Sequence, residues 1–416
     1  MLTALSKPKL GAWDWRYIVV AGAGRDVSTL RVLEVGRVAL RDDGWPTVLA
    51  ADGTPAPGVD QFVNELRACD RTPPTAKSYC FDLLRWFRFL AAVEVTWDKA
   101  TRTEVRDYVL WIRTKPNPQR RRSSAADGRP PAGSLNARTG KRYLKPGYAA
   151  NTINHSLTVI SGFYETAIFD SLGPMVNPVP AAGRGGHRRG QENRPVRRGR
   201  LRQATPVYQP RSISEDLLQE LFAALSHERD RALIAVTLSS GLRARELLSM
   251  QVGGVDAGRS ALEITPKGRP RERVWVPTAT ESITWIGRAL DGRPVASPDD
   301  PLWQTLRKPH RPIGYPALRG ILERANARLG TNLTWHDLRH TFSAHLLDDK
   351  ALSLVEVQHL MRHQSLSSLA PYAATRLEDM VTALHAHLTR PAPPPPSGPS
   401  LYAPEDMNIL FPGSEQ

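Results

Sequence analysis

Cysteine is nearly absent: Cys69 and Cys80 are the only two in 416 residues. No paired spacing exists for a disulfide framework or a zinc knuckle, which points to a reducing compartment. Long apolar runs are missing as well. Residues 232–238 are among the longest and fall far short of a bilayer span. Near the start, Lys7 and Lys9 are followed by the GAWDWR run of residues 11–16, which breaks the apolar stretch that a signal peptide needs. The expected setting is therefore cytoplasmic, with no membrane. Residues 19–24 (VVAGAG) look like a strand entering a phosphate loop, yet the third glycine and the Lys-Ser/Thr pair are lacking, which argues against a nucleotide site. No internal repeat is evident. Acidic residues are also in short supply, 41 against 56 Lys and Arg, for a formal net charge of +15. That surplus favours a polyanionic partner, nucleic acid first among them.

A chain of this length holds two or three domains. Residues 1–58 mix β-branched residues with the turn signals Asp43-Gly44 and Asp52-Gly53, and read as an arm with short strands. Residues 59–180 turn helical. Tyr79, Leu83, Trp86, Phe87 and Leu90 form a 3.6-residue stripe behind Pro73-Pro74-Thr75, Val105, Val109 and Ile112 form another, and a third runs through Ile153, Leu157, Ile160 and Tyr164. Between the last two, residues 119–145 are rich in Arg, Ser, Gly and Pro, which predicts a mobile basic loop. Residues 181–206 carry eight arginines among Gly and Pro, a linker that is either plain solvated chain or a tether along DNA. Arg120, Arg121, Arg122, Arg197, Arg198 and Arg200 are the candidate backbone contacts in these two stretches. A further domain is expected over 207–388, opened by a capping box at Ser212 to Glu215. It holds a hairpin from Leu262-Glu263-Ile264 to Arg273-Val274-Trp275-Val276. The tail, 389–416, is Pro-rich and cannot form a core by itself.

Four places in 207–388 carry chemistry. At Thr334 to His340, Thr334 is the expected N-cap and Asp337 its reciprocal partner. His336, Arg339 and His340 then fall at i, i+3 and i+4 near the positive end of the helix dipole, with Leu338, Phe342 and Leu346 facing the core. A guanidinium fork and two imidazoles at a helix start suit a phosphate. Two histidines at i, i+4 would also suit zinc, although Arg339 in the same turn opposes a cation. In Ser240-Gly241-Leu242-Arg243-Ala244-Arg245-Glu246, the carboxylate of Glu246 can hold Arg243, a spacing that alone would equally describe a surface ion pair. Lys267 lies at the hairpin tip, and His363 precedes Tyr372 by nine residues.

In order and internal spacing, these four places resemble the active-site elements of the tyrosine recombinase, or phage integrase, family: Gly-Leu-Arg-x-x-Glu-Leu, a hairpin lysine, His-x-x-Arg-His, and His followed at nine residues by Tyr. The resemblance covers roughly 207–388, and the helical region before it looks like the family's core-binding domain. It implies a mainly α fold with a small β-hairpin: an N-terminal helical, SAM-like DNA clamp and a C-terminal α+β catalytic domain. It further implies Tyr372 as nucleophile, Arg243 and Arg339 as phosphate clamps, His336 and His363 as hydrogen-bonding partners and Lys267 as general acid, with Glu246 and His340 in support. Three positions depart from the family pattern: bulky Arg245, Arg362 where glycine is usual, and Pro371 before Tyr372. Arg362 is expected either to add a phosphate contact or to point to solvent. The implied partners are double-stranded DNA, a homotetramer on paired sites and accessory recombination proteins, with no cofactor or metal. A mobile-element integrase is favoured over a Xer-like resolvase, a type IB topoisomerase or a silent DNA-binding regulator.

Overall fold

The computed structural model describes residues 25–118, 130–180, 199–205, 212–266, 269, 272–293, 295, 297–349 and 351–362. Lys267, His363, Tyr372, Arg120, Arg121, Arg122, Arg197 and Arg198 lie outside them. The described part is mostly helical with two small antiparallel sheets.

The chain enters through a hairpin of β1 (Arg37–Leu40) and β2 (Pro46–Leu49), with Val38 opposite Val48. Its turn falls at the expected Asp43-Gly44, where the Asp43 carboxylate accepts the Trp45 amide at 3.0 Å, a local bond that suits Asp to turns. Four helices follow: α1 (Val59–Ala68), α2 (Pro73–Ala92), α3 (Arg102–Thr114) and α4 (Ala150–Phe169). The prolines of α2 occupy its first turn, where a missing N–H costs nothing. Helix α3 starts on a capping box in which Glu104 accepts from the Thr101 amide at 2.9 Å.

The predicted stripes meet in one aromatic core. Trp86, Phe87, Phe89, Tyr108, Phe163 and Tyr164 are fully buried there, and Val48 of β2 joins them. At its centre the polar atoms of the aromatic rings are bonded to one another: Trp86 Nε1 donates to Tyr164 Oη at 3.1 Å, which donates to the Trp97 carbonyl at 2.8 Å. Residues 199–205 lie along α4, where Asn154 exchanges two hydrogen bonds with the Gln203 backbone.

A second core is built around α6 (Glu228–Ser240), which follows α5 (Glu215–Ala224). Residues Ala232 to Val236 of α6 are all buried, as befits a central run with no polar face. Around it lie α7 (Ala244–Leu248), a sheet ordered β3 (Val255–Asp256), β4 (Ala261–Ile264), β5 (Val274–Pro277), then α8 (Thr280–Leu290), α9 (Tyr315–Leu329) and α10 (Trp335–Asp348), with α11 (Leu354–Met361) packed on the far part of α10. The β4–β5 pair is the expected hairpin, with Leu262 opposite Val276.

Two local expectations fail. Helix α5 is capped by Ser214, without a side-chain cap bond, rather than by a box at Ser212. The Ile213 amide donates to Thr341 Oγ1 of α10 at 2.9 Å, which holds the chain extended and delays the helix. Residues 130–145 of the predicted mobile loop form a fixed turn. Asn136 Oδ1 accepts the amides of Arg138 and Thr139 at 3.0 and 2.9 Å, while its amide group donates to Tyr143 Oη and the Gly330 carbonyl, each at 2.8 Å. Arg138 donates to the Leu329 carbonyl and pairs with Glu220, and Thr139 bonds Asn332. Arg138 of this basic stretch thus finds an acceptor at the end of α9, and Lys141 reaches Asp337.

Candidate active site

Three chain segments converge beside the second core: the turn between α6 and α7, the start of α10, and the end of α11. Gly241 makes the first turn possible. It caps α6 at φ 58°, and a Cβ there would collide with the Phe342 ring of α10, so both its conformation and its space call for glycine. The turn delivers Arg243 to the N-cap of α7. Glu246, three residues on and only 1% exposed, accepts from the Arg243 amide at 2.9 Å and from its guanidinium at 2.8 Å. Arg245 points outward and is exposed, so Arg243 is the arginine of this turn that joins the cluster.

Helix α10 starts as predicted. Asp337 accepts from both the amide and the hydroxyl of Thr334 at 2.7 Å, and it also receives Lys141 from the docked turn at 2.5 Å. Leu338 is buried in the second core, while Phe342 and Leu346 pack on Val357 and Met361 of α11. The rings of His336 and His340 meet edge to face, centroids 3.9 Å apart. Partial desolvation lowers the pKa of both, and the charges of Arg339 and Lys141 act in the same direction while Asp337 opposes; His340 falls to about 4. Among the described residues, no group of three or more His, Cys, Asp or Glu is placed to hold a metal ion.

Arg339 is 5% exposed. One terminal nitrogen donates to the Gly241 carbonyl and the other to the Met361 carbonyl at 2.5 Å, so this side chain stitches the α6–α7 turn to α11. Burial, then Arg243 and Arg362, lower its pKa to about 9, which still leaves it cationic at neutral pH. Two of its five N–H donors are spent on carbonyls.

Arg362 does not point to solvent. Its side chain is 11% exposed and turns inward to Glu246, 3.4 Å from Oε2. Burial alone would raise the Glu246 pKa, but Arg362 and Arg243 more than offset it, and the carboxyl stays below its usual range. Arg243 and Arg362 thus flank one carboxylate while Arg339 is held beside it on the Gly241 carbonyl, leaving positive charge in excess where His336 lies exposed. Such a site favours an anion with several acceptor oxygens.

The phage integrase family model matches residues 211–378, and the phage integrase N-terminal SAM-like domain model matches 59–127. The chain belongs to the phage integrase family of tyrosine recombinases. Tyrosine recombinase XerD of Pseudomonas aeruginosa is 29% identical over 263 residues, covering 58% of this chain and 78% of the relative. Tyrosine recombinase XerD of Xanthomonas axonopodis is 29% identical over 193 residues, 42% of this chain. The chain spans about six tenths of the latter relative's length, 62%. The fold is shared with the Tn1549 transposon integrase, solved in complex with a circular intermediate DNA, at 14% identity and a TM-score of 0.57 over 79% of this chain and 99% of that one.

Of the expected site residues, the structure brings together Arg243, Glu246 and Arg339, with His336 and His340 on the same helix start. Arg200 is exposed beside α4, well outside this cluster in the chain. The matched segments include Lys267, His363 and Tyr372 by number. Lys141 escaped the sequence reading, because its Arg-, Ser-, Gly- and Pro-rich stretch reads as a mobile loop. Arg362 stands out in the sequence only as a departure from the family pattern, and of the two expectations for it the one toward solvent fails.

Proposed function

We propose that this family member is a site-specific DNA recombinase that breaks and rejoins strands through a covalent 3′-phosphotyrosyl intermediate. The observation that carries the reading is that Arg243, held by the buried Glu246 carboxylate, and Arg339, held by the Gly241 carbonyl of the same turn, come together beside the helix start that bears His336. Fixed donors of this kind stabilise charge as it develops on a phosphate, without reorganisation cost at the moment of reaction.

In this scheme Tyr372 Oη attacks the scissile phosphorus and the bond to the 5′ oxygen breaks. Lys267 protonates the departing oxygen, and the tyrosyl proton leaves to solvent or a neighbouring base. Arg243 and Arg339 hold the non-bridging oxygens, His336 and His363 complete the donors, and Glu246 and His340 support them. Attack by a 5′ hydroxyl on the phosphotyrosyl bond reverses the step. Because that bond conserves the phosphodiester energy, rejoining needs neither ATP nor a metal.

The substrate is duplex DNA held between a clamp over 59–180 and a catalytic unit over 207–388, with the arm 1–58, the linker 181–206 and the tail 389–416 as accessories. Arg120, Arg121, Arg122, Arg197, Arg198 and Arg200 are assigned to backbone contacts that position rather than specify. The working form is a homotetramer on paired sites, aided by accessory proteins in a cytoplasmic, nucleoid-bound setting. The N-terminal arm and basic insertions favour a mobile-element integrase, whereas the curated relatives named above are Xer-type recombinases.

The test is a duplex from the DNA flanking the gene, nicked so that cleavage traps the protein. Wild type should become covalently attached, while Tyr372→Phe should bind with Kd within about twofold and attach at least about 10³-fold more slowly. Trapping of the variant, or attachment through another tyrosine, would sink the assignment.

A further inference from the structure

Arg362 closes α11 at φ 52° and ψ 45°. This is the left-handed region that glycine enters freely and a side-chain-bearing residue enters at a cost. Strain of this kind persists where surrounding contacts over-determine it. Here the contacts are all to the site. The guanidinium donates to the carbonyls of Ser240 at 3.3 Å, Gly241 at 3.2 Å and Leu360 at 3.0 Å, and reaches Glu246 at 3.4 Å. In return, Arg243 donates to the Arg362 carbonyl at 3.4 Å. Most of these are long beside the usual ~2.9 Å, so their number and their charge, rather than any one bond, fix the geometry.

The arrangement has a direction. Glu246 is shared: its Oε1 takes Arg243 and its Oε2 takes Arg362. Gly241 O is shared likewise, between Arg339 and Arg362. Removing Arg362 would therefore loosen both expected phosphate ligands at once, although it need not touch the phosphate itself. It is also the residue from which the chain leaves α11 toward His363 and Tyr372.

We propose that Arg362 is a positioning residue for strand cleavage: it locks the Arg243–Glu246 pair and the Gly241 turn to the end of α11, so that the two expected phosphate-holding arginines, Arg243 and Arg339, keep one register. This rests on the recombinase reading. A misplacement of about 1 Å in such a constellation costs on the order of 100-fold in rate, which sets the scale of the effect.

The experiment uses the full chain and the nicked suicide duplex from the DNA flanking the gene, comparing wild type, Arg362→Gly, Arg362→Lys, Glu246→Gln and the Arg362→Gly/Glu246→Gln double variant. Glycine suits the backbone at this position, so the fold is expected to survive, and thermal unfolding of each variant checks it. The expected result is single-turnover cleavage at least tenfold slower for Arg362→Gly with DNA Kd within twofold, partial recovery in Arg362→Lys, and a double variant no slower than the slower single. Three results would overturn the role: Arg362→Gly cleaving at the wild-type rate, additive losses with a Kd raised more than tenfold, or a rate loss that vanishes on cooling in step with recovered folding. A wild type that is never trapped would overturn the recombinase reading itself, and the role with it; a trapped wild type beside an unimpaired Arg362→Gly would overturn the role alone.

Discussion

Arg243 and Glu246 are three residues apart and find each other through local helix geometry, as do Thr334 and Asp337. Pairs of that kind are legible in a sequence because the backbone alone decides their distance. Arg362 and Lys141 are not, since their partners lie 116 and 196 residues away. The same holds for protonation. The His340 pKa falls to about 4 chiefly through desolvation in the packed site, which only the tertiary structure supplies, and then through His336 one helical turn away. A histidine depressed in the folded state binds fewer protons than the unfolded chain between its two pKa values, so stability drops as pH falls from about 6.5 toward 4 and levels off below. Allowing for partial solvent exposure, the loss is on the order of 1–3 kcal/mol. Urea unfolding at stepped pH should show that slope in wild type and a flatter one in His340→Gln. Identical slopes would place the shift elsewhere.

At the scale of elements, periodicity located α2, α3 and α4, and alternation with a turn located the β4–β5 pair. Each has a strong local pattern over enough residues for one face to be buried. The five-residue α7 has too few residues to show a period; the glycine before it and the α10 ring against that glycine define it instead. Residues 130–145 are the opposite case, a composition that reads as mobile but docks through specific hydrogen bonds. Asn136 is its pin, satisfying two turn amides while reaching across to α9. Asn136→Ala should cost about 1–2 kcal/mol and expose the 130–145 stretch to limited proteolysis without changing helix content. Unchanged protease resistance would mean that Arg138 and Thr139 suffice.

At the scale of the molecule, the two large cores are bridged by that turn, whose Lys141 ends on Asp337 at the start of α10. The surplus of basic residues belongs to this scale too. If it grips duplex DNA over six or more phosphates, affinity should fall by on the order of 10³ between 50 and 200 mM salt. Titration of a labelled duplex over that range measures it, and a flat response would refute the clamp. By itself, the sequence determined the helical character, the hairpin, the order of the motif residues and the cationic balance, because these rest on neighbours along the chain and on composition. Only the tertiary structure decided which charges meet. It sent Arg362 inward, docked Lys141 on the start of α10 and set Arg339 on two carbonyls from different segments, because burial forces a charged group to find partners and packing alone settles which ones lie within reach.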